Sequence, residues 1–186
     1  MNPQLQDTQR DRDAFARLFQ REAPVLYTWA AARLRRGERG LAEDLVQEVW
    51  LRALNLFEGF EGPESGFRNW LFAIAQRARL ELMRQLARHA GAGGGGSRGF
   101  DPERVPAEVT SISSRLARDE QLQLFLDRVA HLPASELALL ELRGFQELPW
   151  DQAAAELGLS AEAARQRYSR LLARLRREGA PGWLNG

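Results

Sequence analysis

The stretch Leu148-Pro-Trp-Asp-Gln-Ala-Ala-Ala-Glu-Leu-Gly-Leu-Ser160, continuing into Ala161-Glu-Ala-Ala-Arg-Gln-Arg-Tyr-Ser-Arg-Leu-Leu-Ala-Arg-Leu-Arg-Arg177, decides how the chain is read. It spells a short helix, a tight turn and a longer basic helix. Pro149 suits a first helical position, where its missing N–H costs nothing. Gly158 can take the positive φ that a tight turn needs. Ser160 is a natural cap for the N–H groups of the helix that follows. Ala153, Ala154 and Ala155 let two helices approach closely. This order is the helix-turn-helix pattern. The second helix carries six arginines, and with Glu162 and Glu178 its local charge is +4.

A recognition helix puts its N-terminal part into the major groove. Glu162, Ala163, Arg165 and Gln166 are therefore candidates for base edges. Arginine reads guanine, glutamine reads adenine, and glutamate can accept from cytosine. Arg167, Arg170 and Arg174 are candidates for phosphates or for the domain's own surface. Leu159, Ala164, Tyr168, Leu171, Leu172 and Leu175 are expected to face inward.

Upstream, a helix is expected from Ser113 or Ser114 to about Val129, with Leu116, Leu122, Phe125, Leu126 and Val129 as its apolar stripe. Leu132–Pro133 breaks it. The next helix carries Leu137, Leu139, Leu140 and Leu142, with Gly144 as its C-cap. Before these lies a different kind of text. Six glycines fall between Gly91 and Gly99, followed by Pro102 and Pro106. Ordering such a stretch costs much backbone entropy. It is expected to be a flexible linker over residues 90–111 with an r.m.s. span of about 25 Å. It would join a domain over 8–89 to a second over 112–178.

The first domain reads as three helical blocks. One runs from about Asp11, with Asp11 or Asp13 as cap, to Arg36, and buries Phe15, Leu18, Phe19, Val25, Leu26 and Trp29. Pro24 should kink or restart it, and Gly37 and Gly40 should end it. The second spans Leu41 to Phe57, with Leu45, Val49, Leu51, Leu54 and Phe57 mostly inward and Glu43, Asp44, Gln47, Glu48 and Arg52 on the polar side. Gly59 and Gly62–Pro63 end it. The third runs from Phe67 to Arg88, with Phe67, Trp70, Leu71, Ile74, Ala78 and Met83 on a core face. Arg68, Arg77, Arg79, Arg84 and Arg88 form a basic side.

Composition agrees with an all-α protein. Leu, Ala and Arg supply 82 of 186 residues, against 11 for Val, Ile and Thr together. All 26 basic residues are arginines, and 25 acids balance them to a formal +1, so any nucleic-acid footprint is local. Cysteine is absent, which excludes disulfides, thiolate zinc sites and Cys nucleophiles. Two histidines, His89 and His131, do not make a histidine-rich metal site. No cofactor, metal or catalytic residue is expected. The glycines of 91–99 lack the Gly-Lys-Ser/Thr ending of a phosphate loop. The N-terminus lacks an apolar signal core, and no run reaches the roughly 20 apolar residues of a membrane span. The expected location is the cytoplasm, without membrane insertion.

Two segments together resemble a known family. Ala42-Glu-Asp-Leu-Val-Gln-Glu-Val-Trp-Leu-Arg-Ala-Leu54 is similar to the clamp-binding helix of the sigma2 domain in bacterial RNA polymerase sigma factors. Phe67 to Arg84 resembles the sigma2 segment that opens and reads the −10 element. Residues 132–176 resemble sigma4, whose last helix reads the −35 element. The chain thus resembles the sigma-70 family, extracytoplasmic-function type, built of a sigma2-like bundle of three to four helices and a sigma4-like helix-turn-helix domain joined by a flexible glycine-rich linker.

The resemblance implies a factor that binds core RNA polymerase and directs promoter recognition and strand opening. It implies Asp44, Gln47, Glu48 and Arg52 as contacts to the β′ clamp, with the β subunit also a partner. It assigns Arg68, Asn69, Trp70, Arg77 and Arg84 to −10 DNA, and Glu162, Ala163, Arg165, Gln166, Arg167 and Arg170 to −35 DNA. An anti-sigma protein is a further partner in such families. Departures exist. The family's second segment commonly has Arg-Asn after Ile-Ala and an Asp four further on, where this chain has Gln76, Arg77 and Glu81. Its last helix usually has Gly-Thr-Val-Lys-Ser-Arg, where this chain has Glu162-Ala-Ala-Arg-Gln-Arg167. Promoter sequence is therefore not carried over. The alternative is a helix-turn-helix transcriptional regulator with an N-terminal helical sensing or dimerisation domain. It explains residues 148–177 equally well and leaves 42–54 unexplained.

Overall fold

The computed structural model describes residues 3–34, 39–92 and 114–185. All regular structure among them is helical. Helix α1 spans Pro3–Arg33, α2 Arg39–Leu56 and α3 Phe67–Ala92. Helix α4 spans Glu120–Val129, and α5 spans Ala134–Leu139 before widening into a π-helical segment at Leu140–Phe145. Helices α6, Trp150–Glu156, and α7, Ala161–Arg177, form the helix-turn-helix unit. Single 3₁₀ turns occupy Phe57–Gly59, Glu64–Gly66 and Gly182–Asn185. Most of the linker expected over 90–111 lies outside the described residues, and its first positions, up to Ala92, continue α3.

The ends of α1 and α2 differ from expectation. Helix α1 starts at Pro3, so neither Asp11 nor Asp13 caps it, and it runs on through Pro24. One local tie there is the Thr28 hydroxyl, which donates to the Pro24 carbonyl at 2.6 Å. Gly37 lies outside the described residues, and Gly40 sits inside the first turn of α2 rather than ending α1. Burial on α1 is also broader than one stripe. Leu18, Phe19, Val25, Leu26 and Trp29 are buried as expected, and so are Tyr27, Thr28 and Ala30. The reason is that α1 packs against α2 and α3 on one side and against α4 and the π-helical segment on the other.

In α2, Leu45 and Val49 are buried, but so are Val46, Trp50 and Ala53, while Leu54 faces solvent. The inward line is thus rotated toward Trp50, whose ring meets Phe15 and Phe19 edge-on and stacks on Phe67. In α3, Phe67, Leu71, Phe72, Ile74, Ala75 and Ala78 fill the same core.

The C-terminal half breaks earlier than the apolar stripe suggested. Residues 114–117 form a separate helical turn, and Asp119 caps α4 by accepting from the Leu122 N–H at 3.1 Å. Gly144 is not a C-cap. It lies in the π-helical segment, where an added Cβ would come 2.8 Å from Leu140 Cδ1 and 3.1 Å from the Tyr168 hydroxyl. Its role is close packing. One hydrophobic cluster includes Leu18 through Ala78 of the N-terminal helices together with Leu122, Phe125, Val129, Leu140, Phe145, Leu171 and Leu184. The two halves are therefore docked on one another.

Candidate nucleic-acid and polymerase interface

The helix-turn-helix unit folds as its residues dictate. Gly158 takes φ +63°, and the Ser160 side chain accepts from the Ala163 N–H at 3.2 Å. Ala154 and Ala164 are buried in one cluster with Leu139, and Ala153 is fully buried as well. On α7, Ala164, Leu171, Leu172 and Leu175 point inward, and Leu159 and Tyr168 are half-buried. Burial pushes the Tyr168 hydroxyl up to about 12, against the opposing pull of Arg143. The opposite face stays open. Glu162, Arg165, Gln166, Arg167 and Arg170 are exposed, and Ala163 is half-buried. Glu162 gathers its neighbours: Gln166 Nε2 donates to it at 3.1 Å, and Arg165 Nη1 lies 3.9 Å away. Arg167 and Arg170 line a groove with Ser135, Glu136, Leu139, Leu157 and Leu159. Arg174 turns back onto Glu136 of α5, which raises its already high pKa.

The α2 candidates split. Asp44, Glu48 and Arg52 are half-exposed. Arg52 Nε donates to Glu48 at 2.7 Å, and its Nη2 donates to Glu81 of α3 at 2.6 Å. That bond holds the Glu81 carboxyl below its usual range and raises Arg52. Gln47 departs from the polar side on which it was expected. It is only 8% exposed, because the inward line of α2 passes through the adjoining Val46 and Trp50.

The −10 candidates split as well. Asn69, Arg77 and Arg84 are exposed on α3. Trp70 is half-buried in a ring cluster, 5.1 Å from Phe60 and 5.3 Å from Phe67 between centroids, so it is not a free stacking platform. Arg68 does not stand on the basic side. It is 9% exposed, donating from Nε to Glu22 at 2.6 Å and from Nη1 to Glu147 of the C-terminal half. Glu22 is 1% exposed and also accepts from Arg21. Glu147 itself sits at φ 55°, in the left-handed region.

A second polar junction lies between the two halves. Glu141, 7% exposed on the π-helical segment, accepts from Trp29 Nε1 at 3.1 Å and from Gln76 Nε2 at 3.3 Å, and pairs with Arg33. Burial and the nearby Arg79 lower the pKa of Arg33. Nothing in the local pattern around Glu141 marks it, since all three partners lie in the other half. Among the described residues no cluster of histidines and acids could hold a metal, and no helix is long and apolar enough to cross a membrane.

A family model for sigma-70 region 2 matches residues 18–89, and one for sigma-70 region 4 matches residues 129–177. The chain is 30% identical to the ECF RNA polymerase sigma factor ShbA of Streptomyces griseus, over 91% of this chain and 87% of that one. The chain belongs to the extracytoplasmic-function sigma factors of the sigma-70 family. The ECF RNA polymerase sigma factor RpoE of Cereibacter sphaeroides is 26% identical over 90% of this chain and 87% of its own length. A probable RNA polymerase sigma factor of Haemophilus influenzae is 28% identical over 70% and 72%. No solved structure matches. This sigma factor is thus a promoter-recognition protein. Its region 2 match covers the second half of α1, all of α2 and most of α3, and its region 4 match covers the π-helical segment and the helix-turn-helix unit.

Proposed function

We propose that this sigma factor divides its work between residues 8–89, which bind the polymerase and the −10 element, and residues 112–178, which bind the −35 element, with 90–111 as the tether. Asp44, Glu48 and Arg52 of α2 face the β′ clamp. Gln47 supports that helix from within the core. Asn69, Arg77 and Arg84 of α3 meet the −10 strand, where phosphate contacts offset part of the melting cost. Helix α7 enters the −35 major groove, with Arg165 and Gln166 at base edges and Arg167 and Arg170 on phosphates. Two linked modules gain from effective concentration, so each half can bind weakly. The chain contributes no catalysis of its own and works in the cytoplasm, where polymerase and promoter are. An anti-sigma protein would silence it by covering these same faces.

The observation that carries this reading is the two-faced character of α7: leucines and alanine buried beneath, an open row of arginine and glutamine above, on a turn set by Gly158 and Ser160. The free chain also has to rearrange. Arg68 reaches the −10 strand only when a phosphate takes over from Glu147, which requires the docked halves to part. Transcription in vitro with core enzyme over a random promoter library tests the proposal. Initiation from a defined promoter class supports it. DNA binding without any effect on polymerase would favour the regulator reading instead.

A further inference from the structure

Trp150 opens α6, and neither its burial nor its neighbours are those of an ordinary core residue. Its indole is half-buried, resting on the Leu139, Ala154 and Ala164 cluster and meeting Tyr168 edge-on at 5.6 Å. Two guanidinium groups converge on it. Arg143 Cζ lies 4.2 Å from the ring centroid, and Arg165 Cζ lies 5.7 Å from it. Both are within the reach of a cation–π attraction. Arg143 is anchored further by donating from Nη1 to the Leu148 carbonyl. Arg165 is the exposed member, and its other neighbour is the Glu162 carboxylate at 3.9 Å. Glu162 in turn holds Gln166 at 3.1 Å.

We propose that Trp150 is a positioning residue for promoter reading: its ring holds the Arg165 guanidinium at the start of α7, preset to meet one base edge of the duplex. This rests on the reading of α7 as the −35 helix. A free arginine loses much rotamer freedom on binding, and a planar guanidinium already held in place loses less. Arg143 and Arg165 also concentrate positive charge beside one indole, with Glu162 close to Arg165. The natural complement is a base edge carrying two acceptors, which in the major groove is guanine through O6 and N7. Trp150 thereby sharpens the preference at the one base pair Arg165 contacts and leaves the others alone.

The test uses the full chain in holoenzyme with a promoter library randomised across the −35 element. Arg165→Ala is expected to flatten the preference at one position. Trp150→Leu, which keeps apolar bulk against Leu139 and Ala154, is expected to weaken discrimination at that same position by about two- to fivefold, the reach of an exposed cation–π contact. Trp150→Phe keeps a ring and is expected to fall between wild type and Trp150→Leu, and it carries the test alone if the leucine variant does not fold. The double variant should be no worse there than Arg165→Ala. Equal weakening at every position, or full preference retained without the indole, overturns the role of Trp150. If Arg165→Ala alters no −35 position at all, the reading of α7 falls with it.

Discussion

Replacing Glu141 by alanine should separate the two halves of the free sigma factor more than it unfolds either one. Glu141 is the point where Trp29 Nε1, Gln76 Nε2 and Arg33 converge from the N-terminal helices onto the C-terminal half. Trp29 is fully buried, so loss of its acceptor leaves an indole N–H without water, at about 1–3 kcal/mol. Arg33 is left half-buried without its counter-charge. Removing one partner of a buried pair costs about 3–5 kcal/mol, and the partial exposure of Arg33 places this pair below that range. A combined loss of about 3 kcal/mol corresponds to more than 100-fold in the docked-to-undocked ratio. The chain has no cysteine, so Glu58→Cys and Arg177→Cys at exposed sites accept a dye pair for energy transfer. Transfer should fall at lower urea in Glu141→Ala than in the parent, while helicity is held to higher urea. Glu141→Gln keeps an acceptor for Trp29 and should lose about half as much. Identical transfer curves for parent and alanine variant would refute the claim that this junction holds the halves.

Gly144→Ala should cost about 1–3 kcal/mol in thermal or urea unfolding, since its methyl would press on Leu140 Cδ1 and the Tyr168 hydroxyl. Gly158→Ala, with open space around it but φ +63°, should cost about 1 kcal/mol through backbone strain alone. The raised Tyr168 pKa means the folded state keeps its proton where the unfolded state loses it. Its contribution is complete below pH 10 and is lost between pH 10 and about 12, by up to about 1.4 kcal/mol per pH unit, and Tyr168→Phe should flatten that slope in alkaline melts. Arg167→Ala and Arg170→Ala should each weaken holoenzyme binding evenly across −35 sequences. Each should also reduce the salt slope of that binding by about one.

What could be read in advance depended on how local its cause was. Gly158, Ser160 and the apolar positions of α7 act within a few residues, and the helix-turn-helix unit matches them. The three N-terminal helices were legible from periodicity and their breaks at Gly62–Pro63. The rotation of α2 toward Trp50 was not, because it is set by Phe15, Phe19 and Phe67 from other helices. The all-round burial of α1 between Glu22 and Ala30 follows from a second packing surface that only the docked C-terminal half provides. The same docking turns Arg68 from a surface cation into a bridge between Glu22 and Glu147, whereas Gly144 is a packing residue within the C-terminal half, against Leu140, Tyr168 and Leu184. Asp119 carried a usable capping signal that the apolar stripe across 113–129 overrode.

The central claim is that α2 presents Asp44, Glu48 and Arg52 to the polymerase while α7 faces DNA. It is tested most directly by titrating the full chain, and its Asp44→Arg variant, against bacterial core RNA polymerase at low salt. A stoichiometric complex for the parent, with the variant bound at least tenfold more weakly yet still binding promoter DNA alone as well as the parent does, is the predicted result. Failure of the parent to associate, or equal association of parent and variant, would contradict it.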